Sequence, residues 1–338
     1  MDLDLLTLDR VRGTGVFTHI EASKQGVPRR DLGRLLQDDT IARVAPGTFV
    51  LAERWHQADP QRRHVLRALA ATLQLRAPVV LSHDAAAALH GLPLLSMSPS
   101  SSAPQAYRHR IHLTRTDLGP SQTLARSTVH RRYGLLQCAS PVDGVPALLP
   151  VLATFGVAEI SGVVAGVVAL DAALHQKLAT LENARSWLDQ LALRPGTAVI
   201  RRVIEAADGL SESPLESQAR LVVTALGYCM RLQVPLMTAD GEFVARVDGL
   251  IDELGVVVEV DGRVKYVGDD GHGSVEAVLS EKRRESAIRD LGYGIVRVDR
   301  AGLDDPRQLD TRIQDAARRA SPSVRREPQP GAQQRRTV

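Results

Sequence analysis

The apolar positions follow two periods, and changes between them divide the chain into segments. Leu5, Leu6, Leu8 and Val11 share one helical face, closed by Gly13 and Gly15. Thr18-His19-Ile20-Glu21 has capping-box spacing and predicts a second helix that ends near Gly26. Pro28 suits the first position of a third helix, with Leu32, Leu35 and Leu36 on its inner face. Ile41, Val44, Phe49 and Val50 flank Pro46-Gly47 and predict a strand, a turn and a strand. Asp59 to Leu75 reads as a long Arg-rich helix, and Ser82 is placed to cap another that runs to His90-Gly91. Ser96 to Ser102 is a Ser/Pro loop. Short strands are expected at Arg110–Thr114 and Thr128–Arg132, and mostly helix from Val145 to Ala207, interrupted at Pro195-Gly196.

The last third changes pattern. Ser213 opens a helix from Pro214 to about Leu226. Val-rich runs at Phe243–Ile251 and Val256–Val260 predict two strands, with Asp252 to Gly255 as the turn. A Gly/Asp loop (Gly268 to Gly273) leads to a helix from about Ser274 to Leu291, stopped by Gly292, then a strand at Gly294–Val298. The expected order is α-β-β-loop-α-β. Residues from Ser321 on are rich in Pro, Arg and Gln and are expected to be disordered. The fold class is α/β (α+β overall). Residues 1–55 have the helices-then-hairpin order of a winged helix-turn-helix, 56–210 form a mixed, mostly helical middle region, 211–306 a C-terminal α/β domain, and 321–338 a basic tail.

Charge sharpens this division. The net charge of +3 hides 18 Lys+Arg against 11 Asp+Glu in residues 1–134, and 20 against 27 in residues 135–320. A basic front suits a polyanion partner and an acidic back suits a cation. Aromatics make up only 3 % of residues, so the cores rest on Leu, Val and Ala. Cys138 and Cys229 are too few for a disulfide framework or a cysteine zinc site. Acidic Asp2 and Asp4 stand where a signal peptide would be basic. The most apolar run, Ile160 to Leu170, is shorter than a membrane span and reads as a buried helix. A soluble cytoplasmic protein without a membrane partner is therefore expected.

Three carboxylates interrupt the Val-rich strands. Glu259 and Asp261 alternate onto one face of theirs, and the short turn folds Asp248 back beside them. Clustering such charges is costly without a cation. Magnesium, or manganese, accepts this kind of oxygen set and serves phosphodiester hydrolysis. Glu216, three residues after Ser213, is either a further ligand or half of a capping box. Asp261-Gly262 is also a hairpin-turn signal.

The stretch Arg246-Val247-Asp248, followed after ten residues by Glu259-Val260-Asp261-Gly262, resembles the D…ExK core of the PD-(D/E)XK nuclease superfamily. The similarity is to the branch of the very-short-patch repair endonucleases. Ser213-Pro214-Leu215-Glu216, Arg284 and Leu291-Gly292-Tyr293-Gly294-Ile295-Val296-Arg297-Val298 share it. The resemblance implies a magnesium-dependent endonuclease with Asp248, Glu259 and Asp261 at the metal. Asp261 occupies the lysine position of that motif; Lys265 or Lys282 could stand in for the lysine, and neither has to.

At the other end, Arg29, Arg30 and Arg34 lie on the outer side of the third helix, and Arg43 on the hairpin. Forked guanidinium donors suit phosphates and guanine edges of double-stranded DNA. Together with Ala45-Pro46-Gly47-Thr48-Phe49-Val50-Leu51 and the stretch from Ser82-His83-Asp84 to Leu92-Pro93, this segment resembles the winged-helix domain of the AbiEi family. Those proteins are antitoxins of type IV toxin–antitoxin systems that repress their own operon. The resemblance implies DNA binding, with a toxin or operon partner protein as a second expectation. The rival to an endonuclease is thus a regulator whose nuclease fold has lost its chemistry.

Overall fold

The computed structural model describes residues 14–95, 110–131, 139–142, 144–191, 196–261 and 275–326. The expected Leu5–Val11 helix, the Ser96–Ser102 loop, Cys138, Lys265, the Gly268–Gly273 loop and the tail from Glu327 lie outside these residues. The chain divides into two compact units, Met1–Ile204 and Glu205–Val338.

The first unit opens with strand β1 (Phe17–Thr18) and helix α1 (His19–Lys24). The capping box is complete: Thr18 Oγ1 accepts from Glu21 N at 3.2 Å, and Glu21 Oε2 accepts from Thr18 N at 2.8 Å. Helix α2 (Arg29–Gln37) starts one residue later than expected, with Pro28 as its N-cap. The hairpin β2 (Ile41–Ala45) and β3 (Thr48–Leu51) turns at Pro46-Gly47, where Gly47 has φ 70°. The strands form one sheet in the order β1-β3-β2. Phe17, Val27, Leu32, Leu35, Ile41 and Phe49 form its core.

Helices α3 (Ala52–Gln57) and α4 (Pro60–Gln74) lead into a six-stranded mixed sheet. Its strands are β4 (Val79–Leu81), β5 (Ile111–Arg115), β6 (Gln122–Thr123), β7 (Ser127–His130), β8 (Ala139–Val142) and β9 (Val145–Leu148), in the order β6-β7-β5-β4-β9-β8. Strand β9 falls where the sequence predicts helix. Alternating Val145 and Ala147 bury one face instead, and Pro146 delays the helix to Pro150. Helix α5 (His83–Leu89) follows β4 with Ser82 at its N-cap position, but the Ser82 hydroxyl makes no capping bond. It bonds His83 Nδ1 at 2.8 Å.

Helix α6 (Pro150–His175) contains the apolar run, followed by α7 (Leu181–Gln190) and α8 (Thr197–Ala206). By length and composition alone α6 would cross a membrane. However, 67 % of its most apolar window is buried within the protein, and Gly162 breaks it with φ 84°. Ala165 to Leu170 are buried, whereas Val164 is exposed.

The second unit is built on a four-stranded sheet in the order β10-β11-β12-β13. Helix α9 (Pro214–Ala225) precedes β10 (Met230–Met237), β11 (Phe243–Ile251) and β12 (Val256–Val260), which pair antiparallel. Helix α10 (Val275–Asp290) then leads to β13 (Gly294–Val298), parallel to β12. Strand β10 is an addition to the expected order. So are helices α11 (Arg300–Asp304) and α12 (Pro306–Arg319), which bury Leu303, Leu309, Ile313, Ala316 and Ala317 against the Val-rich strands. The expected disorder from Ser321 does not hold for its first residues. Pro322–Val324 form a short 3-10 turn, and Arg326 N donates to Asp252 O at 3.0 Å.

Candidate functional site

Strand register places the acidic residues of the second unit. Gly249 pairs with Val258 across β11 and β12, so the next pair outward is Asp248 opposite Glu259. Glu259 pairs in turn with Arg297 on β13. On the other side of β11, Leu232 pairs with Gly249 and Val234 with Val247, which sets Gln233 opposite Asp248. One row thus crosses the whole sheet: Gln233, Asp248, Glu259, Arg297.

The strands are irregular at this row. Gln233 has φ 52°, a left-handed conformation that is strained for a residue with a Cβ. Met230 and Leu232 pack with Val256 and Val258, whereas Val234 and Leu236 pack with Val257 and Ile288. The side-chain alternation of β10 therefore changes phase at Gln233. Its amide donates to Glu216 Oε2 at 2.9 Å, and the same oxygen accepts from Glu212 N at 2.9 Å. Ser213 Oγ caps Glu216 N at 3.2 Å. Glu216 thus turns to Glu212 and Gln233, and the capping box expected with Ser213 is half made.

Glu259 is 4 % exposed and faces two guanidinium groups. Arg284, from α10, approaches Oε1 to 2.9 Å, and Arg297 Nε approaches Oε2 to 3.4 Å. The first approach has ion-pair distance without hydrogen-bond alignment, so buried Oε1 keeps no aligned donor. Arg297 is held further by Glu281 at 2.8 Å and Glu285 at 3.0 Å. Burial pushes the Glu259 carboxyl above its ordinary value. Arg284 and Arg297 pull it down, and Glu281 and Asp248 push it up. Arg297 is raised although burial opposes it, through Glu259, Glu285, Glu281 and Asp261.

Asp248 is half-buried, and its Oδ2 accepts from Val260 N at 2.8 Å. Asp261 follows β12, with its N donating to Val298 O at 2.9 Å. Asp248, Glu259, Asp261 and Glu216 do not bring three ligand oxygens within 4.8 Å of one another. Register and charge coupling bring Asp248 and Glu259 together, and neither Asp261 nor Glu216 completes a group of three with them. Lys282 is exposed, and the cation that reaches Glu259 from α10 is Arg284.

In the first unit Arg29, Arg30 and Arg34 are all exposed on α2, opposite buried Leu32 and Leu35. Arg43 is exposed on β2 and lies over the Phe49 ring at 5.9 Å. Four guanidinium groups thus stand on one helix and the adjoining hairpin.

A second cluster is not expected as a site from the sequence, although His83 lies in the Ser82-His83-Asp84 stretch of the winged-helix resemblance. His83, His112 and His130 bring one ring nitrogen each within 4.8 Å of one another. They come from a helix start and two strands far apart in sequence, so no short motif announces them. The only local signal is the placement of His112 and His130 on strands.

No family model matches the chain. Two uncharacterized proteins of Mycobacterium tuberculosis, MT2308 and Rv2248, are each 29 % identical to it over 186 residues. The match covers 55 % of this chain and 64 % of each relative, so the chain spans less than two thirds of their length.

Proposed function

We propose that this chain is a double-stranded DNA-binding protein that hydrolyses phosphodiester bonds with magnesium or manganese. The first segment acts as the winged helix-turn-helix, and the second unit as the PD-(D/E)XK-type domain. The observation that carries this reading is the opposition of Asp248 and Glu259 on adjacent strands, with Glu259 buried and one of its oxygens lacking an aligned donor. Two carboxylates placed like this, beside a substrate phosphate, are a sufficient protein contribution for magnesium. When bound, the ion would neutralise the departing oxygen and lower the pKa of an attacking water.

The chain's own residues supply the rest. Glu259 Oε1 and the second oxygen of Asp248 would face the ion, while Val260 N–H fixes the Asp248 carboxylate. Arg284 supplies positive charge where the motif's lysine is missing, and Arg297 orients Glu259. Arg29, Arg30 and Arg34 hold the duplex through phosphates and base edges.

A second reading is favoured by the same arginines. Both Glu259 oxygens face a guanidinium, and Asp261 replaces the lysine. A carboxylate neutralised in this way serves as the centre of an ion-pair knot, and the protein would then be an AbiEi-like regulator or antitoxin on a degenerate nuclease fold, with a toxin as partner. One experiment separates the two. Purified full-length protein is incubated with supercoiled and linear DNA in magnesium, manganese or chelator, beside Asp248→Asn and Glu259→Gln. Metal-dependent cleavage that disappears in both variants supports the enzyme. DNA retardation without cleavage under any metal supports the regulator.

A further inference from the structure

The first unit contains one buried and two half-buried imidazoles that the DNA-directed reading does not use. His83 opens α5, His112 lies on β5 and His130 on β7. These parallel strands pair His112 with Thr128 and Thr114 with His130, so both histidines project from one face. Their rings pack together, with the His83 and His130 centroids 4.0 Å apart and His112 5.3 Å from His83. His112 Nδ1 and His130 Nε2 are 2.9 Å apart.

The backbone bears the cost of this gathering. His83 has φ 52°, a conformation that is strained for a bulky side chain. Gly156 on α6 permits the approach, because a Cβ there would lie 2.7 Å from His83 Cα. One turn on, α6 carries Glu159, whose Oε2 is 3.6 Å from His83 Nε2. That nitrogen is buried and without a hydrogen bond, in a side chain 1 % exposed. Ser82 Oγ holds the other ring nitrogen at 2.8 Å and so fixes the direction in which Nε2 points. Behind the cluster, buried Asp84 stands 3.3 Å from His64 Nε2. Packing one buried and two half-buried imidazoles together, with a buried ring nitrogen left unsatisfied, gains nothing for the core.

We propose that His83, His112 and His130 bind one divalent first-row transition ion of the zinc type, and that Glu159, near His83 but outside the close group of three ring nitrogens, swings in as the fourth ligand. Imidazole nitrogens with one carboxylate suit zinc and not magnesium. Ligands about 2.0–2.1 Å from a tetrahedral ion stand about 3.3 Å from one another. The ion would replace the 2.9 Å hydrogen bond between His112 Nδ1 and His130 Nε2, with both nitrogens deprotonated toward it and the pair opened by a few tenths of an ångström (~0.4 Å). The ion ties helices α5 and α6 to strands β5 and β7, and Ser82 acts as the outer partner of His83.

The test uses the full-length chain stripped of metal with chelator and titrated with Co2+ and then Zn2+. One equivalent of Co2+ should give the visible absorption of a four-coordinate site, and Zn2+ should displace it and raise the melting temperature. His112→Gln and His130→Gln should abolish the absorption, while His56→Gln, at an exposed position, should leave it intact. Glu159→Gln keeps all three imidazoles and should shift the absorption and weaken zinc by ~10-fold or more. Absence of any cobalt absorption in the folded wild type overturns the site, as does full affinity in both histidine variants. Should those variants fail to fold, unchanged absorption and affinity in Glu159→Gln overturns it.

Discussion

Gly156→Ala is the sharpest test of how the first unit is packed. A Cβ at this position would lie 2.7 Å from both Cα and Cγ of His83 and 2.9 Å from Cδ2. The first neighbour is backbone and cannot swing aside, so α5 and α6 must separate by most of an ångström. Overpacking of this kind costs about 1–3 kcal/mol. Alanine returns about 1 kcal/mol through its better helix propensity. The net loss is then about 0–2 kcal/mol, which for a unit of this size lowers its melting transition by up to about 8 °C. The control is Gly162→Ala in the same helix. There φ is 84° and ψ 177°, a region that essentially only glycine adopts, and a Cβ meets nothing within 4 Å, so the cost is backbone strain alone, about 1–3 kcal/mol. Calorimetry should show both variants destabilised. Cobalt binding should weaken only in Gly156→Ala, because only that change moves His83. A Gly156→Ala protein as stable as wild type, with cobalt binding intact, would refute the close approach and the reason given for it.

Three further outcomes follow from the two units. Replacing Arg29, Arg30 and Arg34 with Ala should weaken duplex binding by about 1–3 kcal/mol for each side chain that reads a base edge, and Arg43→Ala should reduce the salt slope by about 1; gel retardation across salt concentrations checks both. If the second unit cleaves, Arg284→Met should slow cleavage ~10²-fold or more, whereas Lys282→Met leaves the rate unchanged. Equal rates for the two variants would remove Arg284 from the chemistry. Burial holds Glu259 above its ordinary carboxyl value, so its ionised form costs stability at neutral pH, and that cost fades as pH falls through its raised folded-state value. Glu259→Gln should accordingly be at least as stable as wild type at pH 7, with the gap closing toward acid; a gap that widens on acidification in denaturant titrations contradicts the sign.

Legibility in the sequence tracked how local the signal was. Strands Phe243–Ile251, Val256–Val260 and Gly294–Val298 match their expected bounds because Val-rich runs end at Asp, Gly and turn residues. Strand β10 escaped because Pro235 argues against a strand interior and Gln233 breaks the alternation that would reveal it. Helix α12 escaped for another reason: its buried face rests on Leu309, Ile313, Ala316 and Ala317, a sparse stripe in an otherwise polar run. The facing of Asp248 and Glu259 followed from the short turn between their strands. The partners of Glu259 did not, because Arg284 and Arg297 arrive from a helix and a strand whose docking no local pattern specifies. The histidine cluster is the extreme case, assembled from three separate elements and a glycine on a fourth.

The two clusters are kept apart by ligand hardness. Asp248 and Glu259 offer only oxygens, and guanidinium groups already stand against Glu259, so a cation there competes with Arg284 and Arg297 and gains most from phosphate oxygens arriving with the substrate. The imidazoles sit in a different field. Carboxylates of Glu159 and Asp84 stand near them and attract a cation, against the opposing charge of Arg110 near His112. Affinity should therefore be high and independent of DNA at the histidines, and low and dependent on DNA at the carboxylates. If the second unit cleaves DNA and the histidines hold zinc, excess magnesium restored to chelator-treated protein should then revive cleavage without reviving the stability that zinc supplies. Zinc alone should do the reverse. A protein in which one ion restores both properties would show that the two clusters do not act as separate sites.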